Sequence, residues 1–109
     1  MVRLIYHIVP RSVWEAAPPG PYRAESLETE GFIHCSNQDQ VLRVANQFYA
    51  DADELVVLSL STAAMAGMVR DENVGTGERF PHVYGPIARE AIVEVGALRR
   101  DHEGRWEFA

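Results

Sequence analysis

Short apolar runs alternate with polar segments along the chain, and their spacing predicts strands and one clear helix. Four runs rich in β-branched residues predict buried strands, at residues 4–9, 32–35, 54–60 and 91–95. After the second run, apolar residues recur every three or four positions and predict one face of a helix: Val41, Val44, Ala45 and Phe48. We expect a core that includes Trp14, Val41, Val44, Phe48, Val57 and Ile92.

Proline, glycine and capping residues divide the rest of the chain into short elements. Ser12 and Glu15 have the spacing of a capping box and predict a short helix, which the prolines and glycine of residues 18–21 end. Residues 69–72 predict a further short strand. Residues 80–86 contain two prolines and therefore predict an ordered loop or an edge strand.

The carboxyl-terminal part of the sequence completes the predicted set of elements. Residues 61–67 suit a helical turn, and residues 101–104 predict a hairpin turn into a last strand at residues 105–108. The result is about six short strands with two or three small helices that do not strictly alternate. This order predicts an α+β fold in a single domain, residues 1–109.

Composition and charge exclude several classes of function. The 16 acidic residues outweigh the 10 basic ones and leave a formal net charge of −6, so we expect neither duplex nucleic acid nor a membrane as partner. Every basic residue is an arginine, which excludes a Walker A loop and a lysine base. No run approaches the roughly 20 apolar residues of a membrane-spanning helix. The sequence predicts a cytoplasmic protein and leaves its oligomeric state open.

Three apolar segments each carry a histidine. They contain His7, His34 with Ser36, and His82 with Tyr84. A single such histidine is explained by a core imidazole bonded to a backbone carbonyl, since burying an imidazole without a partner is costly. Three of them in one small domain favour a shared cleft, with Ser36 at its edge.

Other chemistries fit these residues less well. The three histidines lack the H-x-H or H-x-x-x-H spacing that anchors most zinc sites, so no metal is expected. Strand alternation turns Cys35 away from His34 and into the core. Ser36 lacks the sequence of a nucleophile elbow. Ser36 or Asn37 suits a helix N-cap, whose free N–H groups attract an anion.

Several blocks of the chain together resemble one known family. They are Ile5-Tyr6-His7-Ile8, Trp14 with Ala17, Gly31-Phe32-Ile33-His34-Cys35-Ser36, Gln40, Phe48-Tyr49, and Phe80-Pro81-His82-Val83-Tyr84-Gly85-Pro86. They resemble the small bacterial family named domain of unknown function 952, over nearly the whole chain. That family is grouped with the ADP-ribosyltransferase-like fold. The resemblance therefore implies a bent, split β-structure with two or three short helices and an NAD cleft between its halves.

The resemblance also implies roles for residues of the cleft. It implies that His7 contacts the NAD ribose and that His34 lies on the nicotinamide side. The third catalytic position of the fold is often glutamate, and Glu72 and His82 both compete for it. The Phe-Ile-His-Cys-Ser block is also similar to the second motif of RNA 2′-phosphotransferases.

Further residues are expected to bind the ligand. These are Ser36, Gln40, Arg70 and Tyr84. Arg70 would clamp a phosphate or carboxylate; the alternative is a solvent-exposed pair with Glu72 of little energetic consequence. Tyr84 would form an aromatic wall or pack at the rim of the core.

We therefore predict an ADP-ribosyltransferase-like enzyme with four catalytic candidates: His7, His34, His82 and Glu72. Its substrate would be NAD, or an ADP-ribosylated or phosphorylated small molecule. No cofactor is required, and NAD enters as a substrate. The alternatives are a non-catalytic module that binds a nucleotide or small ligand, or a subunit whose polar cleft is simply hydrated, since fold membership does not establish catalysis.

Overall fold

Seven strands and three α-helices occur within residues 2–109, the part of the chain that the computed structural model describes. The strands are β1 (Leu4–Pro10), β2 (Ile33–His34), β3 (Leu55–Ser61), β4 (Val69–Asn73), β5 (Arg79–Val83), β6 (Ile92–Arg100) and β7 (Trp106–Phe108). The helices are α1 (Arg11–Glu15), α2 (Glu25–Thr29) and α3 (Val41–Phe48). Short 3₁₀ helices lie at Gln38–Gln40, Thr62–Met65 and Arg89–Ala91.

The strands form two antiparallel sheets that a single bridge joins. The larger sheet has the order β1-β3-β6-β7, and the smaller sheet has the order β2-β5-β4. Beyond β2, Ser36 reaches the free edge of β1, where it exchanges two backbone hydrogen bonds of 2.8 and 2.7 Å with Tyr6. The chain therefore curls from one sheet into the other, and this confirms the predicted α+β class with few short helices.

Two apolar clusters pack on the two faces of the larger sheet. One contains Ile5, Val56 and Leu58 of the larger sheet together with Ile33 and Val83 of the smaller sheet, so it fills the space between the sheets. The second covers the opposite face with α3 and contains Ile8, Val41, Ala45, Leu55, Val57, Leu98 and Trp106. The polar residues of interest lie where the two sheets separate.

The smaller sheet corrects one prediction, because β5 is its central strand and neither a loop nor an edge strand. Pro81 is tolerated there because its carbonyl accepts a hydrogen bond of 3.0 Å from the Cys35 backbone N–H. Its ring replaces only the N–H that would face β2 at the point where that strand ends at His34.

The predicted core is confirmed in part and wrong at one residue. Val41 and Val57 are buried, while Trp14, Val44 and Ile92 are half-buried and pack against the two clusters. Phe48 is 69% exposed. It is the last residue of α3, and its side chain lines the cleft and is not part of the second cluster, although its position on the helix face matches that of the buried Val41 and Ala45.

The polar segment before β2 contains a helix that the sequence did not predict. Residues 25–29 form α2, which has no fully buried residue. Its only signal in the apolar pattern is Leu27, which packs against the first cluster. A helix this short and this polar has no apolar periodicity to reveal it.

Candidate active site

One face of the smaller sheet carries most of the predicted polar residues. Alternation along the strands sends Ile33, Cys35 and Val83 into the core between the sheets. The opposite face therefore presents residues from all three strands and from the segment just before β2: Phe32, His34, Arg70, Glu72, Phe80, His82 and Tyr84. His34 and His82 are direct partners across β2 and β5. The period of two that defines a strand thus gathers these side chains on one surface.

His82 is held by Glu72 and keeps one ring nitrogen free. His82 Nδ1 lies 2.8 Å from Glu72 Oε1, and the Tyr84 hydroxyl donates to the same oxygen at 2.5 Å. The Tyr84 and His82 hydrogen bonds hold the pKa of the Glu72 carboxyl below its usual range. An ionised carboxylate only accepts, so the proton of neutral His82 sits on Nδ1. Nε2 is buried and has no hydrogen-bond partner among residues 2–109.

Aromatic packing fixes the His82 ring from one side. The Phe32 ring stacks on it with centroids 4.1 Å apart and an interplanar angle of 19°. Phe32 also meets His34 edge-on at 4.9 Å. These contacts and the Glu72 hydrogen bond leave the His82 imidazole one orientation, and its exposed fraction is only 4%.

His34 is the accessible partner of this pair. Its side chain is 53% exposed, and its Nε2 lies 2.9 Å from Glu30 Oε2. The His34 and His82 rings are 5.4 Å apart and nearly perpendicular. Two imidazoles therefore stand side by side, each beside its own carboxylate.

His7 lies on β1 and is bonded at both ring nitrogens. Nδ1 donates to the backbone carbonyl of His34 at 2.7 Å, and the Tyr22 hydroxyl donates to Nε2 at 3.0 Å. Burial lowers the pKa of His7 from 6.5 to about 4. Burial also raises the pKa of Tyr22 to about 12, so its hydroxyl keeps its proton and donates it. His7 is neutral at pH 7 and has no nitrogen left for a ligand in this arrangement.

Residues of β1, α2, β2, α3 and β5 line a cleft of about 750 Å³. Its lining includes His7, His34, Ser36 and His82, so the expected convergence of the three histidines is observed. Their catalytic roles stay predictions. The remaining predicted residues do not line the cleft: Gln40, Arg70, Glu72 and Tyr84. Glu72 and Tyr84 reach it only through His82.

Two of the N–H groups in the predicted anion site at Ser36 and beyond are used within the fold. Both backbone groups of Ser36 pair with Tyr6, and the cap is Asn37. The Asn37 N–H donates to Gln40 Oε1 at 2.8 Å. Gln40 Nε2 donates to Glu78 Oε2 and to the Arg79 carbonyl, at 3.0 and 2.9 Å. The Gln40 amide is thus used within the fold, and the free N–H groups expected here are occupied at these two positions.

Arg70 is the cation nearest to Glu72 on the site face. Its guanidinium lies 4.9 Å from the centroid of the Tyr84 ring. Among the described residues, it forms no ion pair within 4 Å with a carboxylate. Arg70 and Glu72 therefore interact only at longer range, which leaves both the phosphate clamp and the exposed pair of little energetic consequence as predictions.

Comparison with known proteins shows the family of this chain. The family model described as "Protein of unknown function (DUF952)" matches residues 8–95. The chain belongs to this family. The matched range includes His34, Glu72 and His82, whereas His7 precedes it. No curated protein matches the chain.

Solved structures share the fold of this DUF952 protein. The crystal structure of protein CC0527 from Caulobacter crescentus has a TM-score of 0.82 and 29% identity, over 95% of this chain and 93% of that chain. The solution NMR structure of CC0527 has a TM-score of 0.78 and 28% identity, over 94% and 90%. CC0527 is thus similar along nearly its whole length.

Two side chains of this DUF952 site were not predicted from the sequence. Tyr22 stands alone in a polar stretch of the sequence, and its hydroxyl holds His7. Glu30 belongs to no recognisable motif, and only its position four residues before His34 could have indicated the contact. Both contacts depend on the loop path before β2, which no local spacing encodes.

Neither a membrane span nor a metal cluster emerges from the described residues. No helix within residues 2–109 is long and apolar enough to cross a bilayer. The same residues contain no group of three His, Cys, Asp or Glu side chains placed to hold a metal ion.

Proposed function

We propose that this DUF952 protein is an ADP-ribosyltransferase-like enzyme that acts on NAD or on an ADP-ribosylated or phosphorylated small substrate. The observation that carries the proposal is the buried His82 Nε2, which faces no protein partner while Glu72 holds Nδ1. In this proposal His82 is the general base and Glu72 is its positioning residue. Tyr84, which donates to the same carboxylate oxygen, fixes Glu72 in turn.

The cost of such an arrangement supports a functional role. A buried polar atom without a partner destabilises a fold by about 1–3 kcal/mol. The Glu72 carboxylate holds one nitrogen of the His82 imidazole, and the other nitrogen keeps a free lone pair. This is the arrangement of a general base, which takes a proton and is then stabilised as imidazolium by the carboxylate. A histidine kept only for packing would be bonded at both nitrogens, as His7 is in this protein.

The cleft suits a nucleotide-sized ligand. Its volume of about 750 Å³ is within the usual range of small-molecule sites. Phe48, Tyr49 and Phe80 line it and offer aromatic surface on which a base can stack. Two antiparallel sheets that separate at β1 and β2 match the bent, split form expected of the ADP-ribosyltransferase-like fold. Arg70 supplies a cation for a phosphate or carboxylate at the edge of the site face.

The reaction follows from these groups. The bond between C1″, the anomeric carbon of the terminal ribose, and the leaving group breaks, its electron pair goes with the leaving group, and an oxocarbenium-like centre forms. Water or an acceptor hydroxyl attacks C1″ while His82 Nε2 takes its proton, and Glu72 stabilises the resulting imidazolium. With NAD and water the products are nicotinamide, ADP-ribose and one proton.

One observation favours the alternative of binding without turnover. The His82 Nε2 atom is almost fully buried, so the substrate reaches it only if the adjoining side chains move. A module that binds a nucleotide and leaves it intact would need no such movement.

Two measurements on the same protein separate these functions. Calorimetric titration with ADP-ribose reports binding, and chromatography of NAD and ADP-ribosylated compounds after incubation reports turnover. We expect turnover that falls at least about 100-fold in His82→Ala, the loss typical of a general base. His102→Ala, which changes an exposed histidine in a turn, is the control and should behave like the parent. Binding with no turnover of any of these compounds would establish the alternative instead.

A further inference from the structure

We infer that His34 is the general acid that complements His82, and that the leaving group of the substrate is an oxygen. The inference rests on the proposed function and selects among its substrates. It favours an O-linked ADP-ribosyl compound over NAD. The feature that carries it is a pair of imidazoles, each beside a separate carboxylate, on directly opposed strand positions.

The two histidines differ in a way that suits opposite proton transfers. His82 is 4% exposed and its Glu72 carboxylate is shared with Tyr84, so its lone pair at Nε2 is held in one direction. The His34 side chain is 53% exposed, so solvent protons reach it after every turnover. Glu30 Oε2 lies 2.9 Å from His34 Nε2 and orients the His34 ring.

Each imidazole keeps one nitrogen that no carboxylate engages. Glu30 engages His34 Nε2, and His34 Nδ1 has no hydrogen-bond partner among the described residues. The ring centroids of His34 and His82 are 5.4 Å apart. Once the side chains over His82 Nε2 move aside, the attacking oxygen contacts that nitrogen while the leaving oxygen on the same carbon contacts His34 Nδ1. Both rings also line the cleft.

The chemistry of the leaving group decides the substrate class. Nicotinamide departs from NAD as a neutral ring and needs no proton, so a general acid contributes nothing to its release. An alkoxide is strongly basic and leaves a sugar carbon readily only when it is protonated as the bond breaks. A site that supplies both an acid and a base is therefore matched to an O-linked substrate.

Hydrolysis of an O-linked ADP-ribosyl compound balances in protons and electrons with water as the only other reactant. His82 Nε2 takes a proton from water as the new C1″–O bond forms. The C1″–O bond to the leaving alcohol breaks, its electron pair stays on that oxygen, and His34 Nδ1 donates the proton. The products are ADP-ribose and an alcohol, with His82 protonated and His34 neutral. Exchange with solvent then restores both rings.

The test compares three substrates that share the ADP-ribosyl group. They are NAD, the 1″-O-methyl glycoside of ADP-ribose and its 1″-O-(4-nitrophenyl) glycoside, whose leaving group departs without protonation. We expect the parent protein to release ADP-ribose from both glycosides. His34→Ala should lower kcat on the methyl glycoside at least about 100-fold and on the nitrophenyl glycoside less than about 5-fold. His102→Ala is the matched control.

A second variant keeps the test informative if His34→Ala disturbs the sheet. Glu30→Gln retains the histidine and should show the same preference for the nitrophenyl glycoside, with a smaller loss on the methyl glycoside. An equal loss on both glycosides in either variant would overturn the assignment of His34 as acid. Turnover of NAD with neither glycoside cleaved would overturn the inference and leave the proposed function standing. No turnover of any of the three would overturn both.

Discussion

His7 and His82 line the same cleft and are almost equally buried, at 7% and 4% exposure. His7 is bonded at both ring nitrogens, to the His34 carbonyl and the Tyr22 hydroxyl. His82 is bonded at one, to Glu72, and its Nε2 has no partner among the described residues. The two histidines are therefore buried to the same extent and differ in how many of their ring nitrogens are hydrogen-bonded. A fully satisfied histidine stabilises the fold, whereas a held histidine with a free nitrogen is a candidate for chemistry.

The pH dependence of stability should show the role of His7 most strongly. The pKa of His7 falls from 6.5 to about 4 because the folded protein buries it. Between pH 6.5 and 4, His7 therefore binds a proton in the unfolded chain but not in the folded protein, so acid favours unfolding. Stability is complete above pH 6.5 and falls by about 3 kcal/mol as the pH drops to 4, at about 1.4 kcal/mol for each unit of pKa difference. Urea unfolding at several pH values measures it.

A variant without the titrating ring isolates this contribution. His7→Phe should have a flatter dependence between pH 6.5 and 4, even if it is less stable at pH 7. Asp71, Glu72 and Asp101, whose pKa values are lowered in the fold, add a loss of the same sign only at more acidic pH. An unchanged slope in His7→Phe would mean that His7 titrates normally in the folded protein.

Removing one hydroxyl should convert His7 into a histidine like His82. Tyr22→Phe deletes the donor that lies 3.0 Å from His7 Nε2 and leaves that buried acceptor without a partner. We expect a loss of about 1–3 kcal/mol in the free energy of unfolding. Tyr49→Phe, a half-buried tyrosine whose hydroxyl has no hydrogen bond among the described residues, should cost about 0.5 kcal/mol or less. Equal effects of the two changes would contradict the role of Tyr22.

The rim of the cleft should tolerate truncation better than either wall. Phe48 is 69% exposed at the end of α3. Phe48→Ala is expected to cost less than about 1 kcal/mol in chemical unfolding, against the roughly 3–5 kcal/mol of a buried phenylalanine. A loss in the larger range would place the end of α3 against the sheet.

The local pattern of the sequence predicted much of the fold. The buried strand at residues 54–60 and the helix around Val41 are confirmed because their apolar spacing reports directly on packing against one surface. Phe48 and β5 show the limit of such prediction. Periodicity gives the direction of a side chain and does not say whether a neighbouring element covers it. Pro81 can lie in the central strand because β2 ends before the missing N–H would be needed.

The sequence predicted which residues belong to the candidate site, but not which of them are hydrogen-bonded to one another. His34 and His82 were found because polar residues in apolar strands are rare. Their pairing with Glu30 and Glu72 depends on register and loop path, which bring together residues four and ten positions apart. The same limit explains Gln40, whose amide capacity is taken up by Glu78 and Arg79.

The most direct test of a free, held nitrogen on His82 is ¹⁵N NMR of the imidazole rings during titration with ADP-ribose. At neutral pH, His7 should appear as a neutral ring with its proton on Nδ1, and the Nδ1 of His82 should be hydrogen-bonded to Glu72. Added ADP-ribose should shift the Nε2 resonance of His82 and leave that of His7 in place, since Tyr22 already occupies it. A His82 ring protonated on Nε2, or an Nε2 resonance that saturating ADP-ribose does not move, would contradict the account.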